Sequence, residues 1–324
     1  MSHCYVQNES HTTLAQDAKG RRVLVFFSKQ FEPVKKQSGF RMDGYYVWCA
    51  SMIKGLDGLY YLFAARWPES TGFPDGYMTH SEIVLATSAS LDEPFVFRKV
   101  VIGRREGNYW DSGMAHNPFV LKIDHKYVLF YIGTQNGSYE QRAIGYAVAD
   151  SLDGEWTRSD EPISLPANAN NPSVLVDDDG SILLFFRDGN LKVSVARAAR
   201  YDAPFDILND NLFPEGPIED MYVMRINGRY EMFAEDAQAT YTENKKGGVH
   251  FISDDGIHWT TDENPTAYGF EIDYDDGSHV RLQRRERPQV YIENGCACLL
   301  TTAKINGADL LTGGQTWSMI QRFR

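Results

Sequence analysis

The chain has 324 residues, of which 43% are hydrophobic and 13% aromatic, and it carries a net charge of −12. This composition is enough for a large core, while the acidic balance disfavours nucleic-acid and anionic-membrane partners, which need a basic surface. No apolar run in the sequence approaches the roughly 20 residues that a membrane-spanning helix needs.

The N-terminus and the cysteines bear on the compartment. Met1 to Cys4 lacks the basic start and the apolar run of a secretory signal. The cysteines show no zinc-like spacing, and Cys296 and Cys298 alternate on one predicted strand, an awkward geometry for a disulfide bond. We therefore expect a cytoplasmic protein with reduced cysteines, which are Cys4, Cys49, Cys296 and Cys298.

A hairpin pattern dominates the chain. Residues 1–20 are polar and predict a loose lead-in, and Arg22–Phe27 predicts a strand. Tyr45–Ile53 and Leu59–Trp67 are then joined by Asp57-Gly58, and such a turn between apolar runs is the strongest short signal of a hairpin. The pattern returns four more times, with turns at Asp124-His125, Asp179-Gly180, Asn227-Gly228 and Asn294-Gly295.

Each hairpin is followed by further short strands, and no stretch shows sustained helical periodicity. The third strands are Glu82–Ser88, Ala143–Ala149, Lys192–Arg197, Val249–Ser253 and Trp317–Ile320. Short aromatic fourth strands follow in four copies, at Phe95–Phe97, Trp156–Thr157, Phe205–Ile207 and His258–Trp259. Five repeats of four antiparallel strands predict an all-β, five-bladed β-propeller that forms one domain over residues 1–324. Because the fifth copy lacks a fourth strand, we expect the N-terminal strand at 22–27 to close the ring.

Aligning the hairpins on their turns predicts which residues are equivalent. Counting back nine residues from each turn gives Cys49, His116, Glu219 and Glu286, with Asn170 or Asn171 in the third copy. The first strand of a propeller blade lines the central axis, so these residues should meet in one axial pocket. Their neighbours Asn117, Asp220 and Arg287 should lie one step further on.

The second strands should also contribute to this pocket. Because they are antiparallel to the first strands, their ends return to the same face of the ring. The long loops Pro68–Ser81 and Ala237–Gly247 should rim the mouth. The residues that these strand ends bring there are Arg66, Trp67, Arg187, Asp188, Glu235 and Asp236.

Each of these residues also has an ordinary structural interpretation. Acidic pairs before strands are often only solvated loops, and Asn-Pro pairs are common in turns. Arg287 beside Glu286 is compatible with a simple ion pair, and Asp111 or His116 with a capped turn. Convergence of so many charged groups at one register nevertheless favours a functional site, since gathered charges are costly unless they have a role.

From about Asp43 to Thr302 the chain resembles the five-bladed β-propeller glycoside hydrolases, the group that contains families 43, 32, 62, 117 and 130. The family 43 acid lies in a Glu-Gly-Pro motif that opens the fourth blade, and Ile218-Glu219-Asp220 matches that place. The resemblance therefore implies Glu219 as general acid. The family's third-blade aspartate would fall at Asn171 and its Asp-Pro base at Cys49-Ala50, which indicates a divergent branch with its own base.

The resemblance implies a carbohydrate substrate and an exo-acting, inverting hydrolase of oligo- or polysaccharides. Such an enzyme needs one protonated and one ionised carboxyl group. The candidate bases are Asp43, Asp111, Asp188 and Glu286, of which Asp43 is preferred from its position in the first blade. No cofactor is required, although the resemblance leaves room for a calcium ion or a water on the axis. The predicted substrate-binding residues are Trp48, Arg66, Trp110, His116, Asn117, Asn171, Arg187, Asp188, Asp220 and Arg287.

Three other functions fit the same fold, because propellers host many activities. A glycoside phosphorylase would hold phosphate on Arg66, Arg187 and Arg287. A uronate lyase would abstract a proton with His116 or a tyrosine. A carbohydrate-binding or protein-interaction propeller without catalysis would explain Cys49 in the place of the base.

Overall fold

A computed structural model describes residues 13–16, 22–25, 29–226, 228–294, 296–305 and 315–324. Asn227 and Gly295, which belong to two predicted turns, and Cys4 lie outside these residues. Within the described part of the chain, no helix has the length and apolar character that crossing a membrane requires.

Five antiparallel sheets follow one another along the chain, each built in strand order from first to last. The first blade comprises β3 Tyr45–Lys54, β4 Tyr60–Pro68, β5 Glu82–Ser88 and β6 Val96–Ile102. The second blade comprises β7 Met114–Ile123, β8 Lys126–Thr134, β9 Ala143–Ala149 and β10 Thr157–Arg158. The third comprises β11 Asn170–Val176, β12 Ile182–Arg187, β13 Val193–Ala198 and β14 Asp206–Asn209.

The fourth blade comprises β15 Ile218–Ile226, β16 Arg229–Asp236, β17 Gly248–Ser253 and β18 Thr260–Tyr268. The fifth comprises β21 Arg284–Glu293, β22 Cys296–Lys304 and β23 Thr316–Arg322. The first strands of neighbouring blades contact each other all the way around, from β3 through β7, β11, β15 and β21 back to β3. The predicted five-bladed propeller is therefore confirmed, with its first strands around the axis.

Additional elements lie outside the repeat. Two short hairpins are formed by β1 Thr13–Gln16 with β2 Arg22–Val25, and by β19 Glu271–Asp273 with β20 His279–Arg281. The loop between β4 and β5 carries the single-turn helix α1, Tyr77–His80.

A separate core fills each gap between neighbouring blades. Successive side chains of a strand point to opposite faces, so Leu62 packs towards the fifth blade while Phe63, its neighbour on β4, packs towards the second. Both are fully buried. The inner strands are apolar on both faces for this reason, whereas the outer strand β6 is largely exposed.

An N-terminal segment closes the ring, but it is not the strand that the sequence predicted. Residues 22–25 pair with 13–16, inside the expected loose lead-in. The edge of β23 is instead covered by residues 31–40. There the amide of Glu32 donates to Arg322 O at 2.9 Å, and the amide of Phe40 donates to Ser318 O at 3.0 Å.

The local sequence explains why this closing segment escaped the strand pattern. Pro33 and Gly39 interrupt it, so that only isolated bridges form instead of a regular strand. Gly39 has φ of +81°, and a Cβ there would lie 2.1 Å from Ser318 O. Only glycine fits this close approach. It delivers Phe40, which is 1% exposed, into the core between the first and fifth blades.

Replacing Phe40 with alanine should destabilise the protein by about 3–5 kcal/mol, the usual cost of emptying a buried phenylalanine site. Urea unfolding of the purified variant measures this change. The matched control is Phe97→Ala, because Phe97 lies on the outer strand β6 and is 37% exposed; its effect should stay below about 1 kcal/mol. Equal losses in the two variants would contradict closure through Phe40.

Candidate active site

Each first strand carries a β-bulge at the same height on the axis. One residue of each bulge adopts a left-handed backbone conformation. A bulge bends its strand and re-aims the local side chains, so two consecutive residues per blade line the axial pocket where a regular strand would offer one. The left-handed residues are Cys49, Asn117, Asn171, Asp220 and Arg287, with φ between 51° and 56°.

The positions of the bulges show that the predicted alignment of the first blade with the second and fourth is wrong by one residue. Cys49 is equivalent to Asn117 and Asp220, whereas His116 and Glu219 are equivalent to Trp48. The error comes from the hairpin loops. Five residues separate β3 from β4, but only two separate β7 from β8 and β15 from β16, so equal counts from the turns do not reach equivalent places.

A chain of hydrogen bonds connects the left-handed residues across the pocket floor. Asn117 Nδ2 donates to Asn171 Oδ1 at 2.8 Å, and Asn171 Nδ2 donates to Asp220 Oδ1 at 2.7 Å. Arg287 Nη1 donates to the same Asp220 oxygen at 3.1 Å. All four side chains are buried, so the floor is a rigid polar layer whose charges are paired.

Three buried carboxyl groups adjoin this floor. Oxygens of Asp220, Glu235 and Glu286 all lie within 4.8 Å of one another. Burial and the neighbouring Asp220 charge raise the pKa of Glu286 to about 7. Burial and the charges of Glu286 and Asp220 raise the pKa of Glu235 to about 9, although Lys246 Nζ lies 2.9 Å from it. The cluster therefore retains protons at neutral pH.

Glu219 has a different environment. Its side chain is 30% exposed and forms an ion pair with Arg187, which comes from the end of β12. Both residues line the pocket together with Glu286. The site thus contains one carboxyl group that is buried among acids and another that faces an arginine nearer to solvent.

A thiol and an imidazole lie on the first-blade side. His116 Nε2 is 3.5 Å from Cys49 Sγ, and its Nδ1 is 2.8 Å from Ser81 Oγ. Burial holds the pKa of His116 well below its usual range, helped by the charges of Arg287 and Arg142, and burial raises the pKa of Cys49. At neutral pH the pair is therefore a neutral imidazole beside a protonated thiol, which is a polar surface and not a reactive nucleophile.

Aromatic side chains form another part of the pocket wall. The ring centroid of Tyr77, on α1, lies 4.5 Å from that of His116, and Phe73 stacks on Trp67 at 5.9 Å. Trp48 meets the edge of Phe73 at 5.3 Å. This wall and the charged blades enclose a pocket of about 290 Å³.

The donor set near the floor is oxygen-rich, which is the chemistry calcium prefers. Each carboxylate of the cluster, however, already has a basic partner. The pairs are Arg287 with Asp220, Lys246 with Glu235, and Arg284 with Glu286. The residues present therefore do not fit the axial calcium ion that the resemblance allowed.

The structure brings nine of the predicted catalytic and substrate-binding residues together in the pocket lining. Their catalytic or binding roles remain predictions. The residues that line the pocket as expected are Trp48, His116, Asn117, Asn171, Arg187, Glu219, Asp220, Glu286 and Arg287.

Three other predicted residues lie outside the pocket lining. Asp43, the preferred base, is exposed in the turn before β3. Asp111 is fully buried, where it pairs with Arg105 at 2.7 Å and accepts a hydrogen bond from Tyr131 at 2.7 Å. Trp110 stacks on the ring of Tyr131 at 5.2 Å. Asp111 and Trp110 therefore belong to the packing of the second blade.

Arg66 and Asp188 also lie outside the lining. Side-chain alternation along β4 sends Arg66 to the opposite face from Trp67, where it pairs with Glu82 at 2.7 Å. Asp188 closes the turn between β12 and β13 by accepting hydrogen bonds from the amides of Asn190 and Lys192.

Several lining residues were not predicted as binding residues. Phe73 and Tyr77 come from the loop that was expected to rim the pocket. The sequence therefore predicted the position of this loop but not which of its side chains line the pocket. Arg284 stands two residues before Glu286 on β21, and period-two alternation could have found it. Arg142 follows a loop of the second blade, and no sequence signal marks it. The lining residues that the sequence did not individually place on the axis or at the mouth are Phe73, Pro74, Tyr77, Tyr139, Arg142 and Arg284. Cys49, Trp67 and Asn170 also line the pocket, where the sequence placed them without naming them as substrate-binding residues.

Glu286→Gln should change how stability depends on pH. The folded pKa of about 7 lies above the usual value near 4.3, so the protonated group stabilises the fold at low pH and this contribution is lost as pH rises towards 7. Relative to the parent protein, the variant should therefore gain on the order of 2 kcal/mol between about pH 5 and about pH 8. Urea unfolding at both pH values tests this, with the exposed Glu161→Gln as control. Parallel pH dependence in parent and variant would show that Glu286 titrates normally.

No protein-family model matches this sequence, and no curated protein matches it. Solved structures, in contrast, share its fold over nearly the whole chain. A structure described as a glycoside hydrolase superposes with a TM-score of 0.69 at 15% identity, covering 91% of this chain and 92% of that one.

Two further structures carry family names. Zg3597, a family 117 glycoside hydrolase from the marine bacterium Zobellia galactanivorans, superposes with a TM-score of 0.64 at 16% identity, covering 90% of both chains. The GH43_1 enzyme from Xanthomonas citri, complexed with xylotriose, superposes with a TM-score of 0.61 at 16% identity, covering 87% of this chain and 88% of that one. The chain therefore has the five-bladed β-propeller fold of family 43 and family 117 glycoside hydrolases, and the resemblance predicted from the sequence is confirmed at the level of the fold.

Proposed function

We propose that this protein is a glycoside hydrolase whose acid and base are Glu286 and Glu219. The observation that carries the proposal is that two carboxyl groups of one axial pocket have different environments. Glu286 has its pKa raised to about 7 by burial and by Asp220, whereas Glu219 faces Arg187. Carboxyl groups that differ in this way are the basis of glycosidase catalysis.

Glu286 is the proton donor in this mechanism. A general acid works best when its pKa lies near the operating pH, because it is then protonated and still gives up its proton readily. Glu286 would protonate the leaving oxygen of the glycosidic bond. The nearby Asp220 keeps the proton available by opposing a negative charge on Glu286.

Glu219 is the second carboxyl group. Its 30% exposed side chain is open to water, and Arg187 orients its carboxylate. It would activate the water that attacks the anomeric carbon, in the inverting mechanism that the resemblance to these propellers implies. This assignment reverses the one that the sequence resemblance implied, where Glu219 was the acid.

The pocket suits the end of a sugar chain. Its volume of about 290 Å³ lies just below the roughly 300–1,000 Å³ of small-molecule sites, and a small pocket of this kind favours exo cleavage. Asn170 Oδ1 and Arg187 Nε are buried and have no hydrogen-bond partner among the described residues. Buried polar atoms are normally satisfied, and sugar hydroxyl groups would supply the missing partners, while Trp48 and Tyr77 offer aromatic faces to the ring.

Glu286→Gln should lower turnover of unactivated oligosaccharides about 10²–10⁴-fold, the usual contribution of an acid or base. A dinitrophenyl glycoside needs no protonation of its leaving group, so the variant should keep most of its activity on that substrate. Glu219→Gln should lose activity on both substrates, because the water still needs its base. Product release from oligosaccharides and aryl glycosides in arabino, galacto, xylo and rhamno configurations measures these changes.

Glu161→Gln, at an exposed site outside the pocket, is the matched control and should behave like the parent protein. If Glu286→Gln loses equal activity on substrates with good and with poor leaving groups, Glu286 is not the acid. Turnover that requires added phosphate would favour a phosphorylase, and an unsaturated product that absorbs in the ultraviolet would favour a lyase. Sugar binding without turnover of any substrate would favour the non-catalytic propeller.

A further inference from the structure

The pocket lining contains more basic than acidic side chains. Four arginines face three carboxyl groups there, in a chain whose overall charge is −12. With the pKa of Glu286 at about 7, that group is protonated in about half of the molecules at neutral pH. The lining therefore carries a net positive charge. Its charged residues are Arg142, Arg187, Arg284, Arg287, Glu219, Asp220 and Glu286.

Three of the four arginines have a carboxylate partner inside the pocket. Each of these guanidinium groups already contacts an acidic side chain of the pocket, so none of the three by itself indicates an absent anion. The pairs are Arg187 with Glu219, Arg284 with Glu286 at 3.2 Å, and Arg287 with Asp220 at 3.1 Å.

Arg142 is held only by neutral groups. Its Nε donates to Tyr139 O at 3.1 Å and to Asn168 Oδ1 at 2.8 Å, and its Nη1 lies 3.5 Å from the Tyr77 hydroxyl. The Tyr139 ring packs against the guanidinium at 5.1 Å. Across the part of the chain that the structure describes, no carboxylate lies within ion-pair distance of Arg142.

These contacts fix the orientation of the guanidinium without neutralising it. The Nε edge is anchored, while Nη2 makes no hydrogen bond to any described residue and the group lines the pocket. A planar, pre-oriented guanidinium matches a carboxylate through two parallel hydrogen bonds. The charge of Arg142 also reaches His116 on the pocket wall, since it helps to lower the pKa of that imidazole.

A second feature points to the same ligand class. Arg187 Nε is buried at the pocket without an acceptor among the described residues, although another part of this guanidinium contacts Glu219. The lining thus offers two guanidinium groups with spare donors, one on the second blade and one on the third. A bound anion would reduce the cost of placing these positive charges in a partly buried site.

We propose that the sugar unit bound in this pocket carries a carboxylate, as a uronic acid does, and that Arg142 is the residue that recognises it. This inference rests on the proposed glycosidase site and names its substrate class. Arg142 and Glu286 line one pocket of about 290 Å³, and in this proposal a single sugar ring contacts both groups. Arg142 therefore selects acidic over neutral sugars, while Glu286 and Glu219 perform the cleavage.

Equilibrium binding of monosaccharides to the full chain tests this without relying on turnover. The probes are glucuronate, galacturonate and mannuronate, each compared with glucose, galactose or mannose by calorimetry or saturation-transfer NMR. At least one uronate should bind about tenfold or more tightly than its neutral counterpart, because a hydrogen bond to a charged group adds this much. Arg142→Met should weaken the binding of that uronate about 10- to 100-fold and change the affinity for the neutral sugar by less than about threefold.

Arg142→Lys should recover part of the affinity, since it restores the charge without the planar fork. The control is Arg200→Met, because Arg200 is exposed and pairs with Asp202 outside the pocket; it should leave binding unchanged. Far-ultraviolet circular dichroism and thermal unfolding confirm that each variant folds. Inorganic phosphate is titrated as a separate probe.

The proposal is overturned if no uronate binds more tightly than its neutral counterpart, or if Arg142→Met weakens acidic and neutral sugars equally. It is also overturned if inorganic phosphate, and no uronate, binds in an Arg142-dependent way, which would assign the arginine to phosphorolysis. If uronate binding depends on Arg142 but no substrate is hydrolysed, this inference is supported and the proposed hydrolase activity is ruled out. If substrates are hydrolysed but acidic and neutral sugars bind equally, the hydrolase is supported and the recognition of a carboxylate is ruled out.

Discussion

The site depends on one backbone feature that recurs in all five blades. A β-bulge in each first strand places one residue in the left-handed region, at Cys49, Asn117, Asn171, Asp220 and Arg287. Such a conformation costs a non-glycine residue about 1–2 kcal/mol, and asparagine and aspartate tolerate it best. The ring of stacked sheets holds these residues in place. Two side chains per blade reach the axis as a result, and ten functional groups share one pocket.

This crowding decides the electrostatics of the pocket. Asp220 forms its ion pair with Arg287 and accepts a hydrogen bond from Asn171, while it repels charge on its neighbours Glu235 and Glu286. Burial and this repulsion raise the pKa values of the two glutamates to about 9 and about 7. Glu219 lies at the same height but nearer to solvent and faces Arg187. One backbone repeat thus produces carboxyl groups with different environments.

The repeat and the fold could be predicted because hairpin turns and alternating apolar strands recur five times. The axial residues followed from that repeat, including Glu219, Asp220, Glu286 and Arg287. The count from the turns misaligned Cys49 with His116, because the hairpin loop of the first blade is three residues longer than that of the second. Asp111 looked like a candidate base, yet its burial against Arg105 and Tyr131 is a packing property that only the structure reveals. Arg142 reaches the pocket from a loop, where strand periodicity gives no guidance.

The proposed role of Glu286 as proton donor is tested most directly by titrating this carboxyl group itself. Selective ¹³C labelling of glutamate carboxyl groups allows NMR to follow one resonance that is absent from Glu286→Gln. We expect an apparent pKa near 7 for this resonance, and a lower value in Asp220→Asn, where the opposing charge is removed. A titration near the ordinary glutamate value of about 4.3, unchanged by Asp220→Asn, would contradict the proposed proton donor.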